Sequence, residues 1–340
     1  MTLLVALPLV AAPGPSHAEP HGIPGASGTL WVTERTPSAS TVTAFDAATG
    51  EVLGTTPVGP APIGITQPSG TDKVYTSDEN ADQLSVIAKD TITVIDTIPM
   101  GDRPHHLMAS RNGNLIYVAE FNSNKIGVVD TSLDARVAGF TASANPAAQT
   151  HAVWITRDGK NLYATNAGPA NTIAKLDAVT GELIWELPIG NNPSEILVTP
   201  DGKTAYVSMR GEHRVKVVDV SGTLPVVTGF AEAQREPDTL SLTNDGKTLV
   251  VGLRASPTGL PARMALIDTG TLVTTYVELP GHTTTGHQWL SANGHYTFIG
   301  VESPGAVDVV DNRAATRVQE YPYPGGTRPH GVFYEPSERR

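Results

Sequence analysis

Residues 193–219 read PSEILVTPDGKTAYVSMRGEHRVKVVD. An apolar strand follows the proline and breaks at Asp201-Gly202. An aromatic-bearing strand returns through Ala205-Tyr206-Val207, and a β-branched run ends in Asp219. The pattern Pro-x-x-apolar-x-apolar-x-x-(Asp/Asn)-Gly, followed by such a strand, recurs along the chain. Its other turns are Asn112-Gly113, Asp158-Gly159, Asp245-Gly246 and Asn293-Gly294. The strands after them are Ile116-Tyr117-Val118, Leu162-Tyr163-Ala164, Leu249-Val250-Val251 and Thr297-Phe298-Ile299, and Leu30-Trp31-Val32 and Val74-Tyr75-Thr76 complete a set of seven. Asp-Gly and Asn-Gly favour two-residue hairpins in which both central residues take positive φ. The Asp closing the third strand recurs as Asp46, Asp130, Asp177, Asp219, Asp268 and Asp311, with Ala88 in the odd unit. It is predicted to cap the following turn by accepting hydrogen bonds from nearby backbone.

Cutting before each second strand gives units 28–70, 71–113, 114–159, 160–202, 203–246, 247–294 and 295–340. A period near 45 residues with four short strands per unit is the signature of a propeller blade. No segment longer than about ten residues carries a capped helical period. The expected fold is all-β: a seven-bladed β-propeller of four-stranded antiparallel blades, occupying 28–340 as one domain. The first unit lacks an innermost strand, and Gly331-Val332-Phe333-Tyr334 at the other terminus supplies it. Such closure leaves no open sheet edge. Truncation after Pro329 is therefore expected to destabilise the whole ring, and a closed ring needs no second copy, which makes a monomer the expectation. The aromatic residues at 31, 75, 117, 163, 206 and 298, at the same strand position in six of the seven units, read as packing between blades.

The strands Tyr-Val-Ala-Glu (117–120), Tyr-Ala-Thr-Asn (163–166) and Tyr-Val-Ser-Met (206–209) belong to the same pattern. With Thr-Pro-Asp-Gly-Lys at 199–203 and Pro-His-Gly at 329–331, they resemble the YVTN-repeat, YncE-like β-propellers. The resemblance covers residues 28–340. It implies the propeller fold, and members of that family serve as binding scaffolds, partner platforms and occasional enzymes, so function has to be argued from the channel.

Composition narrows the classes of partner. The chain has 340 residues, 23 Lys plus Arg against 34 Asp plus Glu, and a net charge of −11. Nucleic acid and anionic lipid are excluded as partners, because binding to either begins with cations neutralising phosphates. With no cysteine there is no disulfide, thiolate ligand or cysteine nucleophile. Leu3 to Ala12 is a ten-residue apolar stretch, followed by Ser16-His17-Ala18. This reads as a signal peptide over 1–18, too short to span a bilayer, and predicts a secreted or periplasmic protein with a lead-in at 19–27.

In a propeller the innermost strands line a central channel. The first residues of those strands are Ile63-Gly64, His105-His106, His151, Ser194-Glu195, Asp238-Thr239, Gly286-His287 and His330. Arg103, Arg235 and Arg328 lie just ahead of their strands, and the second strands end near the same rim in Glu34, Asp78, Glu120 and Asn166. Arg210, His213, Arg254 and Glu302 follow. The ligand-binding set predicted for this mouth is Arg103, His105, His106, His151, Glu195, Asp238, His287, Arg328, His330, Glu34 and Glu120. Neutral imidazoles beside a carboxylate suit a divalent metal such as Zn, Cu or Mn, with His105, His106, His151, His287 and His330 as ligands. Such an ion would polarise a carbonyl, with Glu195 or Glu120 as general base. In lyase and lactonase propellers the resemblance implies a metal or a His/Glu pair in that mouth. The plainer reading is that each His hydrogen-bonds neighbouring backbone. Blade order puts His105, His106 and His151 apart from His287 and His330, which argues against one five-His site.

Two functions follow from these residues. One is an exported scaffold binding a small molecule or protein at a His/Glu-rich mouth. The other is a metal-assisted lyase or lactonase-type hydrolase. No Gly-x-Ser-x-Gly elbow, phosphate-binding loop or His-Glu-x-x-His helix occurs.

Overall fold

The computed structural model describes residues 22–36, 40–254, 260–324 and 328–337. The predicted signal segment 1–18 lies outside them. The described residues form seven four-stranded antiparallel sheets arranged as a propeller. Blades two to seven begin with the inner strands Pro62–Thr66, Pro104–Ala109, Gln149–Ile155, Pro193–Val198, Pro237–Leu242 and Thr285–Leu290. Blade one takes its inner strand from the other end of the chain: Pro329–Pro336 pairs with Gly28–Glu34, Leu30 opposite Tyr334 and Val32 opposite Val332. Helical structure among the described residues includes two single 3₁₀ turns, Glu79–Ala81 and Arg210–Glu212. None is long and apolar enough to cross a membrane.

Hydrophobic packing lies between blades. Trp31 packs with Val74 and Ile87 of blade two, Tyr75 with Ile116 and Val118 of blade three, and Tyr163 with Ile196 and Val207 of blade five. Each repeated aromatic thus faces the next blade, and all six are at most 6% exposed. Burying one such ring is worth about 1.5–3 kcal/mol. The lead-in takes part too, since Ile23 and Ala26 pack with Phe45, Phe298 and Tyr321 where blades one and seven meet.

The turn chemistry is confirmed at one position and corrected at another. Each repeated Asp accepts backbone hydrogen bonds from the turn that follows, as Asp177 Oδ1 does from Val179 N at 2.9 Å and Thr180 N at 2.8 Å. The Asp-Gly and Asn-Gly turns are not two-residue hairpins with two left-handed residues. Gly159, Gly202 and Gly246 have φ near +70°, but the Asp before each does not enter that region. The Asp instead accepts the Thr hydroxyl two residues back and the amide two residues on, as Asp201 does from Thr199 and Lys203. The Asp builds a wider turn and only glycine needs positive φ.

Candidate functional site

The inner strands carry a bulge where their site residues lie. Pairing with the second strand skips between Pro104 and Leu107, Thr150 and Ala152, Pro193 and Ile196, Pro237 and Leu240, and Thr285 and Gln288. His105, His106, His151, Glu195, Asp238 and His287 sit in those skipped positions. A bulge frees side chains from strict alternation and re-aims them, here toward the propeller axis.

Freed bulge amides find partners in a serine or threonine of the second strand. Ser77, Thr165, Ser208 and Thr33 accept from Gly64, Ala152, Glu195 and Gly331 N at 2.7–3.1 Å. Three of these hydroxyls donate onward to the next blade: Ser77 to His105 O at 2.5 Å, Thr165 to Ser194 O and Ser208 to Asp238 O at 2.6 Å. Each is two residues after the repeated aromatic, a spacing visible in the sequence and missed there as a site determinant. Glycine permits the closest approaches: a Cβ on Gly331 would lie 2.4 Å from Ile63 O, and one on Gly286 would lie 2.6 Å from His330 O.

The five histidines form one continuous run. Ring centroids lie 4.5 Å apart for His330–His287, 4.5 Å for His287–His106, 5.0 Å for His106–His151 and 4.4 Å for His151–His105. The separation expected from blade order is overturned, because His106 reaches His287 across the narrow axis rather than around the ring. All five are at most 9% exposed. Burial, reinforced by mutual repulsion and the nearby arginines, holds His105, His151 and His287 well below the usual imidazole range and His106 at about 3. These imidazoles are neutral at physiological pH.

Hydrogen bonding divides the five. His105 Nδ1 lies 3.1 Å from His151 O, the backbone role of the plainer reading, and His330 Nδ1 lies 2.7 Å from Glu302. His106 Nε2, His151 Nδ1 and His287 Nε2 are buried without a protein hydrogen-bond partner. Buried polar atoms ordinarily have one. His105, His106 and His151 each offer a ring nitrogen, all within 4.8 Å of one another. Neutral, partly unpartnered imidazoles of this kind fit a divalent first-row metal.

Glu195 faces this run at His106. One oxygen accepts from Leu240 N at 2.7 Å, and the other is 3.9 Å from His106 Nδ1. Burial, aided by the charge of Asp238, raises it to about 8. Asp238 also resists ionisation through burial, but Arg210 and Arg254 overcome that and hold it well below the usual carboxylate range. Arg103 joins Arg35 on Glu79, and Arg328 joins His330 on Glu302. Glu120 is committed elsewhere: Arg136 on the outermost strand of its own blade grips it at 2.9 and 3.1 Å, and Gly101 N donates at 3.0 Å. Glu34 likewise accepts from Thr41 of its own blade at 2.8 Å. Neither has a bond to the histidine run.

The open space is on the far side of the histidines. A cavity of about 1000 Å³ runs from His106, His287 and Glu195 to the turns at Asp201 and Asp245, where the inner strands end. Trp154, Trp289, Leu240 and Tyr334 are among its walls. The sequence placed the mouth where the strands begin, yet that end is occupied by the arginine–carboxylate pairs.

A second group, buried His282 and Asp308 with exposed Glu320, lies outside the channel run. His282 Nδ1 is 3.0 Å from Pro304 O and Nε2 is 3.3 Å from Glu320. Burial opposes its protonation, but the two carboxylates outweigh burial and raise it. With both nitrogens placed to donate and Arg317 bridging the same carboxylates, the group is an ion-pair network.

A family profile described as "Lactonase, 7-bladed beta-propeller" matches residues 172–282. No curated protein matches the chain. Among solved structures, a putative 6-phosphogluconolactonase from Bacteroides fragilis is 19% identical with TM-score 0.70, covering 95% of this chain and 99% of that one. The periplasmic gluconolactonase PpgL of Pseudomonas aeruginosa is 18% identical with TM-score 0.70, covering 90% and 98%. Hydrazine synthase of Kuenenia stuttgartiensis is 18% identical with TM-score 0.68, covering 91% and 98%. Identities this low establish a shared fold, and these names span unrelated chemistries. The chain is a seven-bladed β-propeller whose fourth to sixth blades contain the segment that matches the lactonase propeller profile.

Proposed function

We propose that this protein is a lactonase-type hydrolase, exported and YVTN-like in its repeats, acting at the histidine-lined end of the channel cavity. The observation that carries the reading is Glu195, buried 3.9 Å from His106 with its pKa raised to about 8, at the end of a substrate-sized cavity that His106 and His287 also line. The lactonase profile and the gluconolactonase names among its structural neighbours support it.

Lactone opening adds water to the carbonyl, breaks the ring C–O bond and delivers a proton to the departing oxygen, giving a hydroxy acid. The sequence offered Glu195 as a general base. Its raised pKa suits the opposite role, donating that proton, with Leu240 N holding the other oxygen in place. The unpartnered Nε2 of His287 accepts from the incoming water and orients it. A divalent ion held by His105, His106 and His151 would supply Lewis acidity toward the carbonyl.

Titrating acid release from a lactone panel tests the reading. Glu195→Gln is expected to lower kcat by about 100-fold or more. Wild-type activity is expected to fall as pH rises through about 8, where Glu195 ionises. A bound divalent ion would move that limb to lower pH. Elemental analysis of wild type against His106→Ala/His151→Ala tests the metal. Ligand binding without turnover of any lactone would return the protein to the scaffold reading.

A further inference from the structure

The cavity walls bear on which carbonyl compound fits. Trp154, Trp289, Leu240, Leu290 and Tyr334 line it between the histidine end and the opening. Trp289 is 38% exposed, an open indole face beside Phe333 at 4.7 Å. Solvent-facing aromatic surface in a concave site is unusual outside ligand pockets.

Charge points the same way. Arg157 is the one Lys or Arg among the cavity-lining residues, against Asp201 and Asp245 near the opening. His106 and His287 line the closed end. Arg210 and Arg254 lie behind them and are engaged by Asp238. A phosphorylated or carboxylated ligand would meet carboxylates near the opening with one cation to offset them, in a protein of net charge −11.

We infer that the cavity takes a neutral lactone bearing an apolar alkyl or aryl substituent, with the ester group at His106, His287 and Glu195 and the substituent along the tryptophan and leucine walls. The ester end of this inference rests on the hydrolase reading, while the apolar body rests on the walls alone.

The test compares γ-dodecalactone, glucono-δ-lactone and 6-phosphoglucono-δ-lactone on the full chain, with and without added Zn²⁺. Binding of γ-dodecalactone is followed separately by tryptophan fluorescence. We expect kcat/KM for γ-dodecalactone to exceed that for either sugar lactone by about 100-fold, from burial of its alkyl chain. Trp289→Ala is expected to cut that preference about 10-fold, and its partial exposure keeps the fold intact. Faster hydrolysis of 6-phosphoglucono-δ-lactone would overturn the inference and leave the hydrolase reading standing. Tight binding of γ-dodecalactone without turnover of any lactone would uphold the apolar cavity and remove the hydrolase. Absence of γ-dodecalactone binding overturns the inference whatever the sugar lactones do.

Discussion

The two ends of the channel are built from the same seven strands and could hardly differ more. Where the strands begin, Asp238 sits between Arg210 and Arg254, Glu79 between Arg35 and Arg103, and Glu302 between Arg328 and His330. Where they end, tryptophan, leucine and tyrosine surround open space. The histidine run divides the two. Ion pairs at the first end hold backbone and loops in register, so that end is structural in its energetics. The second end has room and apolar surface but few fixed charges, which suits a ligand. A cluster of charged residues at a channel entrance can therefore mark the sealed side.

The comparison can be broken from several directions. Truncation after Pro329 removes the inner strand of blade one, with buried Val332, Phe333 and Tyr334 and both ends of its channel wall. The expected loss is roughly 5 kcal/mol or more, read as collapse of cooperative unfolding in urea. A truncated chain with wild-type stability would mean that the ring closes without this strand.

Asp238→Ala at the sealed end leaves Arg210 and Arg254 without their buried partner. Breaking such a group costs about 3–5 kcal/mol. Trp289→Ala at the open end is expected to cost about 1 kcal/mol, because the side chain is 38% exposed. Equal losses in denaturant midpoint would erase the distinction between the ends.

Ser208→Ala removes a hydroxyl that serves Glu195 N and Asp238 O. About 1–3 kcal/mol is expected from the unsatisfied buried groups. A larger fractional fall in activity than Asn or Thr at the same position would show that it also sets the bulge geometry.

The pH dependence has its sign fixed by opposing shifts. The channel imidazoles have lowered pKa values, so the unfolded chain binds protons that the folded one refuses as pH falls below 6.5, and stability drops. Glu195 is raised to about 8 from 4.5, so its contribution is complete below 4.5 and lost as pH rises to 8. Glu195→Gln should remove that alkaline decline in Tm while leaving the acid limb. An unchanged profile would place Glu195 in contact with water rather than at the histidine end.

Much of this was legible beforehand because it is periodic. Asp-Gly and Asn-Gly turns, an aromatic in six of the seven second strands and an Asp closing six of the seven third strands repeat at a fixed spacing, and each has a local cause in turn chemistry or inter-blade packing. Ring closure by Gly331 to Tyr334 followed from counting strands, and the structure extends that strand to Pro329–Pro336. The histidine register was legible for the same reason, since equivalent positions face the axis. For Glu120 and Glu34, register gives the end of a strand but not the direction of its side chain. Both carboxylates found partners in their own blades.

What the sequence determined by itself is the ring: local turns and alternating burial act over a few residues and repeat seven times. Tertiary structure alone decided that His106 meets His287 across the axis and that Glu195, not Glu120, faces them. It also decided that the free volume lies beyond the histidines. Those outcomes depend on channel width, on bulges shared between strands and on which arginine reaches which carboxylate first. Each is a distance between residues far apart in the chain, and no spacing along the sequence encodes it.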